Sequence, residues 1–388
     1  MNRKIRLTYI IDVLDTNLAG TENQLIKMIN GVDKTRFDVE LICFSDHPWF
    51  EANKASLRCT TRIFPMARFK KPATYLNFLR LVSYLRSSRP DVVHTFFPVG
   101  NIIGVLASRL AGVGAIISSR RDYGEWMSPK YLLFTKIANR FATRIIANSS
   151  AVKRLTVEKE GAGEDRVGYI YNGIDLEQCK PMERDNALKK SLGIPEGNLV
   201  AGIVANFRPM KHHLTFLKAA RDVLKTRKDV TFLLLGSGRL KPEMERKAEE
   251  LGIKESVLFL GSQKDVLPYL SIMDAGVNCS EGEGLSNAVM EYMCAGVPCV
   301  VSRAGGNPDL IEDGVNGYTF EIDDHEALST LLIRLFKDPE LRERFAAAAR
   351  RKIEKEMSLG VILSKYEDLY ASLVKEAGRR GRGQEAFC

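Results

Sequence analysis

Short runs rich in Val, Ile and Leu alternate along the chain with longer amphipathic stretches, and the alternation starts twice. Brief apolar runs bounded by Gly, Pro or charge are what strands buried on both faces look like, and the helical stretches between them supply the crossovers that parallel strands require. The first series predicts strands at 5–13, 37–44, 91–95 and 115–118, with helices at 22–29, 75–86 and 101–110. The second predicts strands at 199–205, 230–235, 257–260, 275–278 and 297–301, with helices at 214–224, 242–251 and 287–294. The polar stretch 176–198, with Pro181 and Pro195, reads as the linker. The expected fold class is α/β, two doubly wound domains facing a central cleft, with ligands outside the carboxyl ends of the strands. Helices follow from His325 to about residue 377, and the basic run Arg379-Arg380-Gly381-Arg382 is expected to form a disordered tail.

Composition narrows the setting. The 388 residues, 45% hydrophobic, suffice for two or three cored domains. No apolar run reaches the roughly 18 residues of a membrane-spanning helix. The basic start at Met1–Tyr9 leads into a short apolar stretch containing Asp12 and Asp15, which reads as a strand and not as a signal peptide. Seven cysteines without a CxxC pair point to a reducing compartment, the cytoplasm, with Cys294 and Cys299 as small core residues. The net charge of +9 is uneven: residues 1–180 hold 27 Lys and Arg against 17 Asp and Glu, the remainder 30 against 31. An acidic partner is therefore expected for the N-terminal half: an anionic membrane surface, a lipid-linked diphosphate or a nucleic acid.

The most informative stretch is 280–296. Glu283 and Glu291 stand eight positions apart, with Gly282, Gly284 and a helix start at Ser286-Asn287 between them. Glycines admit a ligand close to the backbone, Ser286 or Asn287 can cap the helix, and the uncapped amides favour an anion such as a diphosphate. Glu283 is placed to accept from sugar hydroxyls and Glu291 from a ribose. The bland alternative is a solvated loop Glu and a helix-surface Glu; against it, the helix carries Val289, Met290, Tyr292 and Met293, and buried helices rarely hold an unpaired Glu. Arg208 and Lys211 follow the first strand of the second series and can neutralise a departing diphosphate, or be ordinary surface charge. His212-His213 lacks nearby ligands and is assigned to the helix start, with no metal expected. Gly236 opens a GxG turn, weak evidence for a nucleotide. In the first series, Ala19-Gly20-Thr21-Glu22 is a strand-to-helix loop, and Arg120-Arg121 stand at a strand end, facing either a cleft or solvent. Two basic-aromatic stretches, 68–71 with 75–86 and 126–144, suit a membrane interface or bury their apolar sides in the domain.

These residues resemble those of the retaining glycosyltransferases of family 4, also called group 1, which have the GT-B fold of two Rossmann-like domains. The resemblance runs nearly end to end, through Pro90–His94, Asn172-Gly173-Ile174-Asp175, Arg208-Pro209-Met210-Lys211, Phe259-Leu260-Gly261, Glu283–Glu291 and Gly305–Ile311. It implies an acceptor-binding domain at 1–178, a nucleotide-sugar domain at 179–360, and a helix in 361–388 that returns to the first domain before the basic tail. It implies that Arg208, Lys211 and Glu283 are catalytic. Glu291, Gly284, Leu285, Ser286, Asn287, Gly236 and Ser262 would hold the donor, with UDP favoured, and Gly20 and Arg120 would face a saccharide or lipid-linked acceptor. It also implies transfer with retention, without metal or other cofactor, by an enzyme of polysaccharide or glycoconjugate synthesis on the inner face of the cell membrane. Two departures stand out. A histidine common at the end of an N-domain strand is replaced by Ser118-Ser119-Arg120-Arg121, and the glycine after the lysine is His212. A nucleotide-sugar 2-epimerase would use the same donor residues without an acceptor; the charge also suits a nucleic-acid binder, but the Glu283 and Glu291 element speaks against it and no RNA-binding signature is present, so no nucleic-acid partner is expected.

Overall fold

The computed structural model describes residues 3–16, 20–66, 72–124 and 127–385. The chain forms two units, Met1–Gly173 with Leu359–Cys388, and Ile174–Ser358.

The first unit is built on seven parallel strands: β1 (Ile5–Ile11), β2 (Phe37–Cys43), β3 (Thr60–Ile63), β4 (Val92–Thr95), β5 (Ala115–Arg120), β6 (Arg144–Ala147) and β7 (Val167–Tyr169). Their order is β3-β2-β1-β4-β5-β6-β7, so the direction of winding reverses between β1 and β4. The crossovers are α1 (Gly20–Gly31), α2 (Pro48–Asn53), α3 (Pro72–Ser88), α4 (Val105–Ala111), α5 (Pro129–Asn139) and α6 (Ser150–Glu160). β3, β6 and β7 were not anticipated. They are three or four residues long, and β3 is an edge strand that alternates between exposed and half-buried positions.

In the second unit, six parallel strands run in the order β10-β9-β8-β11-β12-β13. They are β8 (Leu199–Val204), β9 (Val230–Leu235), β10 (Val257–Gly261), β11 (Ala275–Asn278), β12 (Cys299–Ser302) and β13 (Gly317–Phe320). The helices are α7 (Asn186–Ser191), α8 (His213–Thr226), α9 (Lys241–Glu250), α10 (Leu267–Ser271), α11 (Asn287–Ala295), α12 (Asn307–Leu310), α13 (His325–Lys337) and α14 (Pro339–Lys352). The stretch 176–198 is not a linker. It carries α7, capped by Asp185, and buries Cys179, Lys189 and Ile194; the Lys189 ammonium donates to the carbonyl of Asn198 at 2.7 Å. The charged side chains suggest exposure, but the Lys189 ammonium is buried and satisfied by the carbonyls of Glu196 and Asn198.

The last helix, α15 (Leu359–Glu385), belongs to the first unit. It extends through the basic run expected to be disordered. Ile362, Tyr366, Tyr370 and Leu373 enter the same apolar cluster as Tyr9, Phe37 and Ile117. The Tyr370 hydroxyl lies 2.8 Å from Nδ1 of the buried His94, whose Nε2 meets Ser119 Oγ at 2.8 Å. Burial holds His94 well below the usual imidazole range, so it is neutral and needs one donor and one acceptor, which the two hydroxyls supply.

Tyr370→Phe keeps the packing but strands one imidazole nitrogen. It should cost about 1–3 kcal/mol, the range for an orphaned buried polar group, against about 3–5 kcal/mol for Tyr370→Ala. Urea denaturation of the full chain checks this, and equal losses for the two variants would contradict the hydrogen-bond argument.

Candidate functional site

Parallel strands end at one edge, and in the second unit the loops at that edge gather the charged residues. β8 runs into Ala205–Phe207. There the Phe207 amide donates to the Ser237 carbonyl at 2.8 Å and the Gly236 amide to the Gly261 carbonyl at 2.8 Å. A Cβ on Gly236 would lie 2.0 Å from the Ala205 carbonyl oxygen, so only glycine lets the end of β9 approach this closely. Gly236 thus ties three strand ends together. Ser262, just past β10, is exposed. Phe207 is buried and stacks on His213 at a centroid distance of 4.2 Å, and burial pushes that imidazole down to about 4.

Past this anchor, Pro209–Lys211 form one tight turn. Lys211 Nζ lies 2.7 Å from Glu283 Oε1. Glu283 stands on the loop after β11. Its Oε1 also accepts from Asn278 Nδ2 at 3.0 Å and from Ser280 Oγ at 2.5 Å, while Oε2 takes no partner among the described residues. Burial alone would raise this carboxyl, but the Lys211 charge and the hydrogen bonds from Asn278, Lys211 and Ser280 hold it below the usual range, so it is ionised at neutral pH. The second hydrogen of the Asn278 amide goes to Ser286 Oγ at 3.1 Å, and Ser286 caps α11 by accepting from the Val289 amide. One amide therefore couples the Glu283 carboxylate to the start of α11. Asn307 Nδ2 holds Asn278 Oδ1 from behind at 3.1 Å.

Gly284, Leu285 and Ser286 are buried, and Asn287 is half-buried at the start of the helix. Glu291 is the fifth residue of α11 and half-buried. The Tyr292 hydroxyl accepts from the Val204 amide at 2.7 Å, which pins α11 to the end of β8. The Glu281 amide donates to the Met210 carbonyl at 3.0 Å, joining the two charged loops. Arg208 is exposed and makes no ion pair among the described residues. It borders a pocket of about 400 Å³ lined also by Lys218, Leu240 and Met244.

His212 has φ +48, the left-handed region where glycine is at ease. Two carboxylates hold it there: Glu281 Oε2 at 3.0 Å from Nε2 and Asp323 Oδ1 at 2.5 Å from Nδ1. Partial burial opposes its protonation, but the hydrogen bonds to Glu281 and Asp323 prevail and raise its pKa. Among the described residues no three His, Cys, Asp or Glu side chains cluster as a metal site would require.

In the first unit the assignment of Arg120 is corrected. It does not lie at the surface. The guanidinium is buried, bound at 2.8–3.0 Å to both oxygens of Glu160, and further held by Ser118 and Asn139. A buried arginine needs such a partner, and Glu160, forty residues away at the end of α6, gives no local sign of being one. Gly20 is exposed at the start of α1, and Ala19 lies outside the described residues. Sequence reasoning also missed Asp12. It ends β1 at the reversal point, accepts from the amides of Val99 and Gly100, and has its carboxyl pushed up to about 7 by burial. Asn278 carries no local motif, and the partnership of Asn278, Ser280 and Asn307 becomes visible only once the strands are placed.

Against this geometry, the family model for glycosyl transferases group 1 matches residues 184–352, and that for glycosyltransferase family 4 matches residues 18–178. An Escherichia coli protein named as a UDP-Gal:alpha-D-GlcNAc-diphosphoundecaprenol alpha-1,3-galactosyltransferase is 25% identical over 370 residues, 92% of this chain and 95% of its own. A Bacillus anthracis N-acetyl-alpha-D-glucosaminyl L-malate synthase is 32% identical over 53% of this chain and 54% of its own. Among solved structures, HepE of Anabaena in complex with UDP superposes with a TM-score of 0.84 at 21% identity, covering 95% of this chain and 100% of that one. The fold is the GT-B fold.

Gly305 tests the support of the site. Its φ is +54 and a Cβ there would lie 2.3 Å from the Glu283 carbonyl oxygen, whereas Gly314, at φ +74, has open space around it. Gly314→Ala should cost about 1–2 kcal/mol of left-handed strain; Gly305→Ala should lower the thermal stability further and displace the Glu283 loop. Equal losses would remove the contact from the argument. For His212 the folded pKa lies above the ordinary value near 6.5, so its contribution is complete below that pH and is lost as pH rises through the folded value. His212→Gly relieves backbone strain equally at every pH. The variant should therefore compare worse with the parent at pH 6 than at pH 9 in thermal denaturation.

Proposed function

The chain belongs to the glycosyltransferases that these two family models describe, and on that premise we propose that it moves a hexose from a UDP-sugar, with retention, to a hydroxyl of a saccharide or lipid-linked acceptor. The observation that carries the donor reading is the charge arrangement at one sheet edge. Arg208 stands without a carboxylate partner among the described residues, one turn from Lys211, Lys211 is bound to the ionised Glu283, and the capped start of α11 follows directly. In this reading Arg208, Lys211 and the α11 amides receive the diphosphate, whose charge grows as the bond to the sugar breaks. Glu283, with Oε2 open, accepts from a hydroxyl of the transferred sugar. Glu291 accepts from the ribose, with Gly284, Leu285, Ser286, Asn287, Gly236 and Ser262 around the nucleotide. The acceptor hydroxyl attacks from the face the diphosphate leaves, and a phosphate oxygen takes its proton, so the chain need not supply a base. The named activity of the Escherichia coli relative, a UDP-sugar donor with a lipid diphosphate acceptor, and the UDP bound by Anabaena HepE support the donor and acceptor classes. The first unit, with most of the excess positive charge, is assigned the acceptor.

Arg208→Ala should lower kcat by about 10²–10³-fold, the usual effect of removing one charge-stabilising donor, while leaving thermal stability unchanged because the side chain makes no ion pair among the described residues. Glu291→Ala should chiefly raise KM for the donor. UDP at a hundredfold over its Kd should stabilise the protein by about 2.7 kcal/mol, with GDP and ADP far weaker. Full activity in Arg208→Ala would sink the diphosphate assignment, and preferential stabilisation by GDP or ADP would sink the choice of uridine.

A further inference from the structure

Three neighbouring helices of the first unit share an unusual surface. α3, α4 and α5 sink Leu81, Val82, Leu85, Val105 and Ala138 into one apolar cluster on the sheet. Their opposite sides are also apolar. Leu76 and Leu79 on α3 are 58% and 61% exposed, Leu110 on α4 56%, and Leu133, Phe134 and Phe141 along and just past α5 41–57%. Leu76 and Leu79, like Leu133 and Phe134 with Ile137, fall at helical spacings that place them on one outward stripe. The helices adjoin: α3 packs on α4 and α4 on α5, and Arg86 of α3 donates to the Leu110 carbonyl of α4 at 2.8 Å. The stripes therefore form one surface, and exposed apolar clusters of this kind mark binding sites.

The charge on the same helices is of one sign. Arg80, Arg86, Arg109, Lys130, Lys136 and the adjoining Arg140 are all exposed, and α3, α4 and α5 contain no Asp or Glu. None of the six forms a salt bridge among the described residues. The stretch 68–71 and Trp126, which the sequence grouped with these helices, lie outside the described residues.

We infer that this face docks on an anionic lipid bilayer, its Leu and Phe side chains entering the boundary between headgroups and acyl chains and its cations meeting lipid phosphates. The charge decides between occupants. A second copy related by two-fold symmetry would set the unpaired cations against the same cations, which is repulsive. A neutral apolar partner would leave them uncompensated. An anionic membrane satisfies both halves of the surface at once, as interfacial helices with apolar and Lys/Arg-rich sides do. The inference is independent of the donor site, since it concerns other elements and no nucleotide.

The test is co-sedimentation of the full chain with vesicles of equal parts phosphatidylglycerol and phosphatidylcholine, beside vesicles of phosphatidylcholine alone. The parent should pellet with the anionic vesicles, less so at high salt, and little with the neutral ones. Leu76→Asp with Leu79→Asp, and separately Lys136→Glu with Arg140→Glu, should each weaken partitioning about tenfold or more. Their melting temperatures and their response to UDP should stay those of the parent, because these side chains point outward. Equal pelleting with both vesicle types, or variants that pellet like the parent, would overturn the inference. So would a parent that elutes as a dimer and is made monomeric by the Asp substitutions. UDP stabilisation persisting in any of these cases would leave the donor reading intact.

Discussion

A carboxylate largely removed from water must be surrounded by donors, and at Glu283 that requirement organises the second unit's working edge. Burial pushes the group toward neutrality, and Lys211, Asn278 and Ser280 together reverse the push. Each arrives from a strand end: Lys211 after β8, Asn278 at the end of β11, Ser280 just beyond it. The sheet order β10-β9-β8-β11-β12-β13 makes this possible, because β8 and β11 are hydrogen-bonded neighbours although 70-odd residues separate their loops. The glycine at 305 lets a further loop back against the Glu283 main chain, where the Gly306 amide donates to its carbonyl at 3.0 Å.

Two ion pairs, Arg120 with Glu160 and Lys211 with Glu283, illustrate how burial divides labour. Arg120 and Glu160 satisfy each other completely, with Asn139 and Ser118 taking the remaining bonds, so no part of that charge is left for a ligand. Lys211 and Glu283 are incompletely matched: among the described residues one carboxylate oxygen remains open, and Arg208, three residues before Lys211, makes no ion pair. A saturated pair fixes structure, while an unsaturated one can exchange partners with a substrate. The formal charges are alike in the two cases, and coordination alone separates them.

Charge and apolar surface are likewise allotted by unit. The excess positive charge of the N-terminal half is spread over helices whose inner sides build the core, which leaves an outer side both greasy and basic. α15 seals the other side of the same sheet. Its Tyr370, together with Ser119 of β5, completes the hydrogen bonds of the buried His94.

Much was legible locally. Alternating apolar runs identified two doubly wound sheets, and the spacing of Glu283, Ser286 and Glu291 located a loop, a cap and a helix that are all present. Strand existence and helix starts depend on neighbours within a few residues, and such neighbours are visible in the chain. β3, β6, β7 and β13 escaped, whereas β4, β11 and β12, equally short, stand out as apolar runs bounded by Gly, Pro or charge. The linker was misread because the partners that bury Cys179 and Ile194 come from elsewhere in the unit. What the tertiary structure alone decided is which distant residues meet: Lys211 with Glu283, His212 with Asp323, Arg120 with Glu160, Tyr370 with His94. Those pairings depend on strand order and on which helix side faces the sheet, and both are settled by packing the whole chain at once.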